Sequence, residues 1–265
     1  MRKSLKAVAA GAACAVAGAA LYGAGAATAG QSTANSTHEP YNIGLLVKDI
    51  DTYYGTTADS DGVYQASPDS PYAKDLARLD ADARRYIDKA ARKAHHRGEK
   101  PAVVFDIDDT LLLSLDYEKR YNYTYNATTW NDYVNKADRP AVFGSPELVR
   151  YAESKGVEVF YNSGLSEAQR AGAVENLKKV GADVNLDAGH MFLKDKADPP
   201  AYLKDCATPG TWNCTTVQYK SGTRKHIERD LGYEIIADFG DQYSDLDGGH
   251  ADRTYKLPNP TYFVS

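Results

Sequence analysis

The sequence predicts an α/β protein built on a doubly wound parallel sheet. Three observations predict it. Short apolar runs alternate with amphipathic helical segments, the runs lack the polar alternation of a half-exposed sheet, and conspicuous acids fall just past their carboxyl ends. With 265 residues, 43% hydrophobic and 25% charged, the chain suffices for one domain with a sizeable core and some added segments.

The elements follow in chain order. Arg2, Lys3 and Lys6 precede an Ala-rich apolar run from Ala7 to Ala20, and Ala27-Thr28-Ala29 supplies an A-x-A cleavage pattern. Residues 1–29 are therefore expected to be a secretory signal peptide, and the protein to be secreted. The run is short and broken by glycines, below the roughly 20 strongly apolar residues of a spanning helix, so no stable membrane anchor is expected. Its removal deletes three basic and no acidic residues and takes the formal charge from −5 to about −8, which disfavours a nucleic-acid polymer as partner. Residues 30–70, rich in Ser, Thr, Asp, Gly and Tyr, are expected to form an extended arm with one short helix near Ile43 to Val47. The main domain is expected over residues 71–265.

Between Tyr72 and His96, Leu76, Leu79, Ala83, Tyr86, Ile87, Ala90 and Ala94 recur at helical spacing, and Arg97-Gly98 ends the helix. Val103 to Phe105 reads as the first strand, Val157 to Tyr161 as a second, His190 to Leu193 as a third and Glu234 to Phe239 as a fourth. Helices are expected over Ser166 to Val180, with a Ser166/Gln169 capping box and Gly181 as stop, and over Thr223 to Leu231, stopped by Gly232. Residues 112–150 lie between the first two strands as an insert. They hold Tyr117, Tyr121, Tyr123, Tyr125, Trp130 and Tyr133, suited either to packing the insert on the core or to stacking on a flat leaving group. Without Cys14, Cys206 and Cys214 remain as an even pair, and a disulfide is expected between them in an oxidising compartment.

Ligands of open α/β sheets gather beyond the carboxyl ends of the strands, and the chemically able residues fall there. Asp106 and Asp108 follow the first strand at i and i+2, so both side chains can face one pocket. Clustered carboxylates raise each other's pKa unless a cation joins them, which points to bound Mg²⁺. Asp106, nearest the scaffold, is suited to attack phosphorus, and Asp108 to protonate the departing alcohol and then activate water. Ser163 can donate to a phosphoryl oxygen, Lys220 can act as a point charge, and Asp241 and Asp245 add carboxylates for the metal. Each signal is weak alone; their order along alternating elements is not.

The ordered set resembles the haloacid dehalogenase superfamily, subfamily IIIB, the secreted acid phosphatases. The resemblance runs from about residue 72 onward and implies a small helical cap inserted after the first strand, at about residues 112–150. It rests on Phe105-Asp-Ile-Asp-Asp-Thr110, the Trp130 to Val134 segment, Tyr219-Lys-Ser-Gly-Thr-Arg-Lys225, Gly240-Asp-Gln-Tyr-Ser-Asp-Leu246 and Lys256-Leu-Pro-Asn-Pro-Thr-Tyr262. It implies Asp106 as nucleophile and metal ligand, and Asp108 as acid/base whose backbone carbonyl also meets the metal. Ser163 and Lys220 would bind phosphate, Asp241 would be a metal ligand with Asp245 in support, and the substrate would be a small phosphomonoester. One departure is Asn162-Ser163-Gly164-Leu165, where relatives often carry Thr-Gly-Arg or Thr-Asn-Arg.

Other phosphatase chemistries lack their residues. His96-Arg97-Gly98 reverses the Arg-His-Gly of a histidine phosphatase, and Trp212 and Lys220 stand where C-x₅-R needs arginine after Cys206 and Cys214. A dehalogenase has no need of an acid at position 108. The remaining rival is a noncatalytic storage or phosphate-ligand-binding protein on the same fold, a reading that typically goes with loss of the nucleophile. Oligomeric state is not legible.

Overall fold

The computed structural model describes residues 40–265; the expected signal peptide and the start of the expected arm lie outside the described residues. The short helix expected near Ile43 to Val47 is present and runs on to Tyr54. Helix α1 (Ile43–Tyr54) starts at Asn42, whose Oδ1 accepts from the Gly44 and Leu45 amides, and stops at Gly55 in the left-handed region (φ 58°). Local spacing misleads here because Ile43, Leu45 and Leu46 are exposed while Ile50 and Tyr54 are buried. The helix is held instead by Tyr54 packing on Tyr72, ring centroids 4.5 Å apart, a contact that no local pattern announces. A hairpin of β1 (Thr57–Ala58) and β2 (Tyr64–Gln65) follows.

Helix α2 (Pro71–Arg97) is the long amphipathic helix expected. Ser70 caps it, Pro71 occupies its first turn, and Gly98 ends it at φ 73°. Leu76, Ala83, Ile87, Ala91 and Ala94 form its buried stripe. Then come β3 (Pro101–Phe105), α3 (Leu115–Arg120), α4 (Ala127–Asn135), α5 (Ser145–Ser154), β4 (Glu158–Ser166), a 3₁₀ turn at Glu167–Gln169 and α6 (Arg170–Lys179). The remaining elements are β5 (Met191–Lys194), the hairpin β6 (Ala207–Thr208) and β7 (Thr211–Trp212), α7 (Thr216–Arg229), β8 (Glu234–Gly240), α8 (Tyr243–Leu246) and β9 (Thr254–Lys256).

The main sheet runs β5-β4-β3-β8-β9 with every neighbouring pair parallel, the doubly wound arrangement expected, and β3 lies at its centre. All five β3 residues are buried, as helices cover both faces. The edge strand β9 has no counterpart in the sequence reading because only Tyr255 of its three residues is buried. Tyr255 stacks on Phe239, and Phe239 on Phe105, at 4.8 and 4.6 Å between centroids.

Three boundaries move relative to expectation, each near the strand ends. Strand β4 continues to Ser166, with its register against β5 shifting between Asn162 and Ser166, so Ser163 lies within the strand. A Thr215/Gln218 capping box starts α7 at Thr216, which places Lys220 inside that helix. Of the insert, α3 packs against β2 and α4 against α6, whereas α5 packs against α2 and β4 as an ordinary crossover helix. The Cys206–Cys214 disulfide is present and closes the β6–β7 hairpin, with Cα atoms 4.7 Å apart. Among the described residues, no helix is long and apolar enough to cross a membrane.

Candidate active site

Asp106 leaves β3 with its amide donating to the Phe239 carbonyl at 2.8 Å, which ties the start of the acidic loop to β8. Its buried carboxylate accepts from Lys220 Nζ at 2.6 Å. Lys220, 1% exposed, also pairs with Asp245 Oδ1 at 2.9 Å and donates to the Asn162 carbonyl. An ammonium has three N–H donors, so these partners use all of them. Placement of Lys220 on α7 decides this geometry, since a side chain one turn along would miss the strand ends.

Asp241 lies in the turn between β8 and α8, and Asp245 within α8 itself. A Cβ placed on Gly240 would lie 2.5 Å from Asp245 Cβ, so glycine is required for α8 to fold this close to the strand. Asp245 Oδ2 accepts from the Gln242 amide at 3.0 Å, while Asp241 Oδ2 accepts from Gln242 Nε2 and Asn259 Nδ2, both at 2.7 Å. Fully buried Arg224 staples α7 to this turn: it pairs with Asp238 at 2.9 Å and donates to the carbonyls of Asp245, Leu246, Asp247 and Gly249. That network accounts for an arginine in the Tyr219–Lys225 block.

Asp108 is more open. Its Oδ1 accepts from Nη1 of Arg139 at 2.6 Å, and the Arg139 side chain is itself fully buried. Asp109 takes a local role: at φ 51° it turns the chain, and its carboxylate accepts from the Ser114 amide at 2.9 Å and from the Ser114 hydroxyl. Ser163 is buried and does not line the cleft; its Oγ accepts from the Leu165 amide at 3.1 Å, which leaves its hydroxyl proton to donate.

These groups open into a cleft of about 620 Å³. Asp106, Asp108, Asp241, Asp245 and Lys220 form one part of its wall, and Tyr123, Tyr125 and Trp130 another, with Glu118 and Lys194 facing the same space. Both expectations for the insert aromatics have members. Tyr117 is buried among Tyr121, Trp130 and Tyr133, at 4.6 to 5.3 Å between centroids, while Tyr123, Tyr125 and Trp130 reach the cleft. Leu165 lines the cleft but is only 2% exposed, its side chain joined to the apolar core.

Asp106, Asp241 and Asp245 each offer an oxygen within 4.8 Å of the others. Burial raises the Asp106 carboxyl well above its ordinary range; Lys220 opposes the rise, and Asp245, Asp241 and Asp108 add to it. Burial, with Asp245 and Asp109, pushes Asp241 up to about 8. Burial would depress Lys220, but Asp106 and Asp245 hold it above the usual lysine range. Buried acids with one lysine among them leave excess negative charge, and an all-oxygen set of this spacing fits a hard divalent cation.

Four residues of the site escaped sequence reasoning. Arg139 and Glu118 sit in the insert, Lys194 at the end of β5 and Asn259 beyond β9. Only Asn259 carried a signal, as part of the Lys256–Tyr262 block, and that block assigned it no role.

Fold and site together define a doubly wound α/β protein whose strand-end carboxylates converge on a buried lysine from the neighbouring helix. The family model described as HAD superfamily, subfamily IIIB (Acid phosphatase) matches residues 63–265, and the chain belongs to that family. Similar proteins include the stem 28 kDa glycoprotein of Glycine max, 35% identical over 62% of this chain and 61% of that protein. Acid phosphatase 1 of Solanum lycopersicum is 30% identical over 61% of this chain and 58% of its own, and vegetative storage protein 1 of Arabidopsis thaliana 32% over 61% and 54%. The chain thus spans about three fifths of the length of these relatives, or less. The class C acid phosphatase from Bacillus anthracis shares the fold, with a TM-score of 0.53 and 24% identity over 70% of this chain and 78% of that one.

Proposed function

We propose that the protein is a secreted, Mg²⁺-dependent acid phosphatase that hydrolyses small phosphomonoesters through an aspartyl-phosphate on Asp106. The observation that carries this reading is the intact Asp106 carboxylate, aimed into the cleft and held by Lys220 at 2.6 Å beside Asp241 and Asp245. The proposed metal set is Asp106, Asp241, Asp245 and the backbone carbonyl of Asp108. When bound there, Mg²⁺ would neutralise phosphoryl oxygens and the carboxylates that surround them.

In the first half-reaction an Asp106 oxygen bonds to phosphorus, the ester P–O bond breaks, and Asp108 hands its proton to the departing alcohol oxygen. In the second, Asp108 takes a proton from water as that water bonds to phosphorus. The acyl phosphate P–O bond breaks, releasing inorganic phosphate and restoring Asp106. Arg139 keeps the Asp108 carboxylate turned toward the cleft. Lys220 lends its charge to a phosphoryl group carried on Asp106, whereas the Ser163 hydroxyl, buried outside the cleft lining, is given no phosphate contact.

Secretion is supported by the signal-type amino terminus, by the Cys206–Cys214 disulfide and by relatives named as glycoproteins. The names of the vegetative storage relatives favour a second reading, a storage protein without turnover. A p-nitrophenyl phosphate assay at mildly acid pH separates the two. The expected result is turnover that needs Mg²⁺, stops with chelator and is lost in Asp106→Asn. No turnover by the wild type leaves the storage reading, and unchanged turnover in Asp106→Asn removes Asp106 as the nucleophile.

A further inference from the structure

Two ammonium groups line the cleft, Lys220 and Lys194, and they differ in what they hold. Lys220 has all three donors engaged by Asp106, Asp245 and Asn162. Among the described residues, no carboxylate lies within ion-pair distance of Lys194; its recorded neighbour is the face of the Tyr219 ring, 5.5 Å from Nζ. Its position is well fixed. Lys194 ends β5, and a Cβ placed on Gly164 would lie 3.7 Å from its Nζ, so the ammonium stands over the backbone just after Ser163. Tyr219 places it on the other side against the residue preceding Lys220. Burial, then repulsion from Lys220, hold its pKa below the ordinary lysine range, so the two cations sense one another in the same space.

A partly buried ammonium with no carboxylate partner is unfavourable unless a ligand completes it. Arg139 is committed to Asp108, and Lys256, which senses Asp241 and Asp245, donates to the Leu257 carbonyl. We infer that Lys194 is the substrate-binding cation of the cleft, donating directly to the peripheral oxygens of the phosphoryl group from the side of β5. This rests on the proposed phosphatase reading for its substrate, but only on an oxyanion entering the cleft for its geometry. A contact made to the phosphoryl group both before and during transfer lowers KM and leaves kcat little changed.

The test is binding of inorganic phosphate to the whole purified protein with Mg²⁺ present, by titration calorimetry, for wild type, Lys194→Met and Lys194→Arg. Lys194→Met is expected to weaken phosphate about tenfold or more, with Lys194→Arg recovering most of the loss and the melting temperature unchanged. KM for p-nitrophenyl phosphate should rise in parallel while kcat stays within about twofold. Lys194→Gln gives the same readout if the methionine variant melts early. Phosphate affinity unchanged within twofold in the charge-removing variants overturns the inference. So does a loss confined to substrates with a second anionic group, such as phosphoserine, which would move the lysine's contact to the leaving group. Phosphate binding that depends on Lys194 in a protein without turnover would uphold the inference and sink the catalytic reading.

Discussion

Lys220 Nζ lies 2.6 Å from Asp106 Oδ1 although 114 positions separate the two in sequence, and both are almost wholly buried. This pair balances part of the charge that the strand ends bring together. Its loss bears on stability as well as chemistry.

Lys220→Met leaves Asp106 and Asp245 buried with no cation between them. The expected outcome, without added metal, is a loss of roughly 3 to 5 kcal/mol in urea unfolding, together with loss of turnover. Millimolar Mg²⁺ should restore more stability to this variant than to wild type. Equal urea midpoints for the two proteins would show that Lys220 is not the counter-charge.

Asp108→Asn removes the proton donor but keeps a group able to meet Arg139. Alkyl phosphates, whose alcohols leave poorly, should slow by about a hundredfold or more; p-nitrophenyl phosphate should slow about tenfold or less. A leaving-group series measured at saturating substrate checks this, and equal losses across it would remove Asp108 from the proton-transfer role.

Gly240→Ala places a methyl where Asp245 Cβ already stands, 2.5 Å away. The strand is buried and resists movement, so α8 and Asp245 must retreat. Mg²⁺ should then bind about tenfold or more weakly, read as a smaller rise in melting temperature on metal addition. Wild-type metal affinity in this variant would mean that Asp245 is not needed for the ion.

Glu118 faces the cleft with no cationic partner among the described residues, and burial, helped by Asp109, pushes its carboxyl up to about 8 from 4.5. A folded-state pKa above the unfolded one means the native state binds the proton more tightly. The contribution of Glu118 to stability is therefore full below about pH 4.5 and lost as pH rises through about 8. Glu118→Gln should flatten this part of the stability profile, by about 1 to 2 kcal/mol once screening at a partly open site is allowed for. Parallel profiles for the two proteins over that range would contradict it.

Legibility in the sequence followed the range of the forces involved. The long helix α2, the strands β3 and β8 and the acids after them were legible because caps, apolar periodicity and strand-end position are local signals. Helix α1 was legible only at its start, near Ile43 to Val47, since Tyr54 is buried by Tyr72 rather than by its own segment's pattern. Strand β9 was missed because an edge strand with one buried residue carries no periodicity. Lys194 and Arg139 were invisible for another reason: one lysine or arginine among 31 basic residues has no mark until its partners, or lack of them, are placed around it.

By itself the sequence determined the family, the long helix α2, the strands β3, β4, β5 and β8 and the acids that follow β3 and β8, because each is written in spacing over a few turns of backbone. Only the tertiary structure decided that Lys220 is fully engaged, that Lys194 is not, that Gly240 must lack a side chain for Asp245 to approach, and that Arg139 answers Asp108. Those relations depend on distances of a few ångströms between segments that only the sheet brings together.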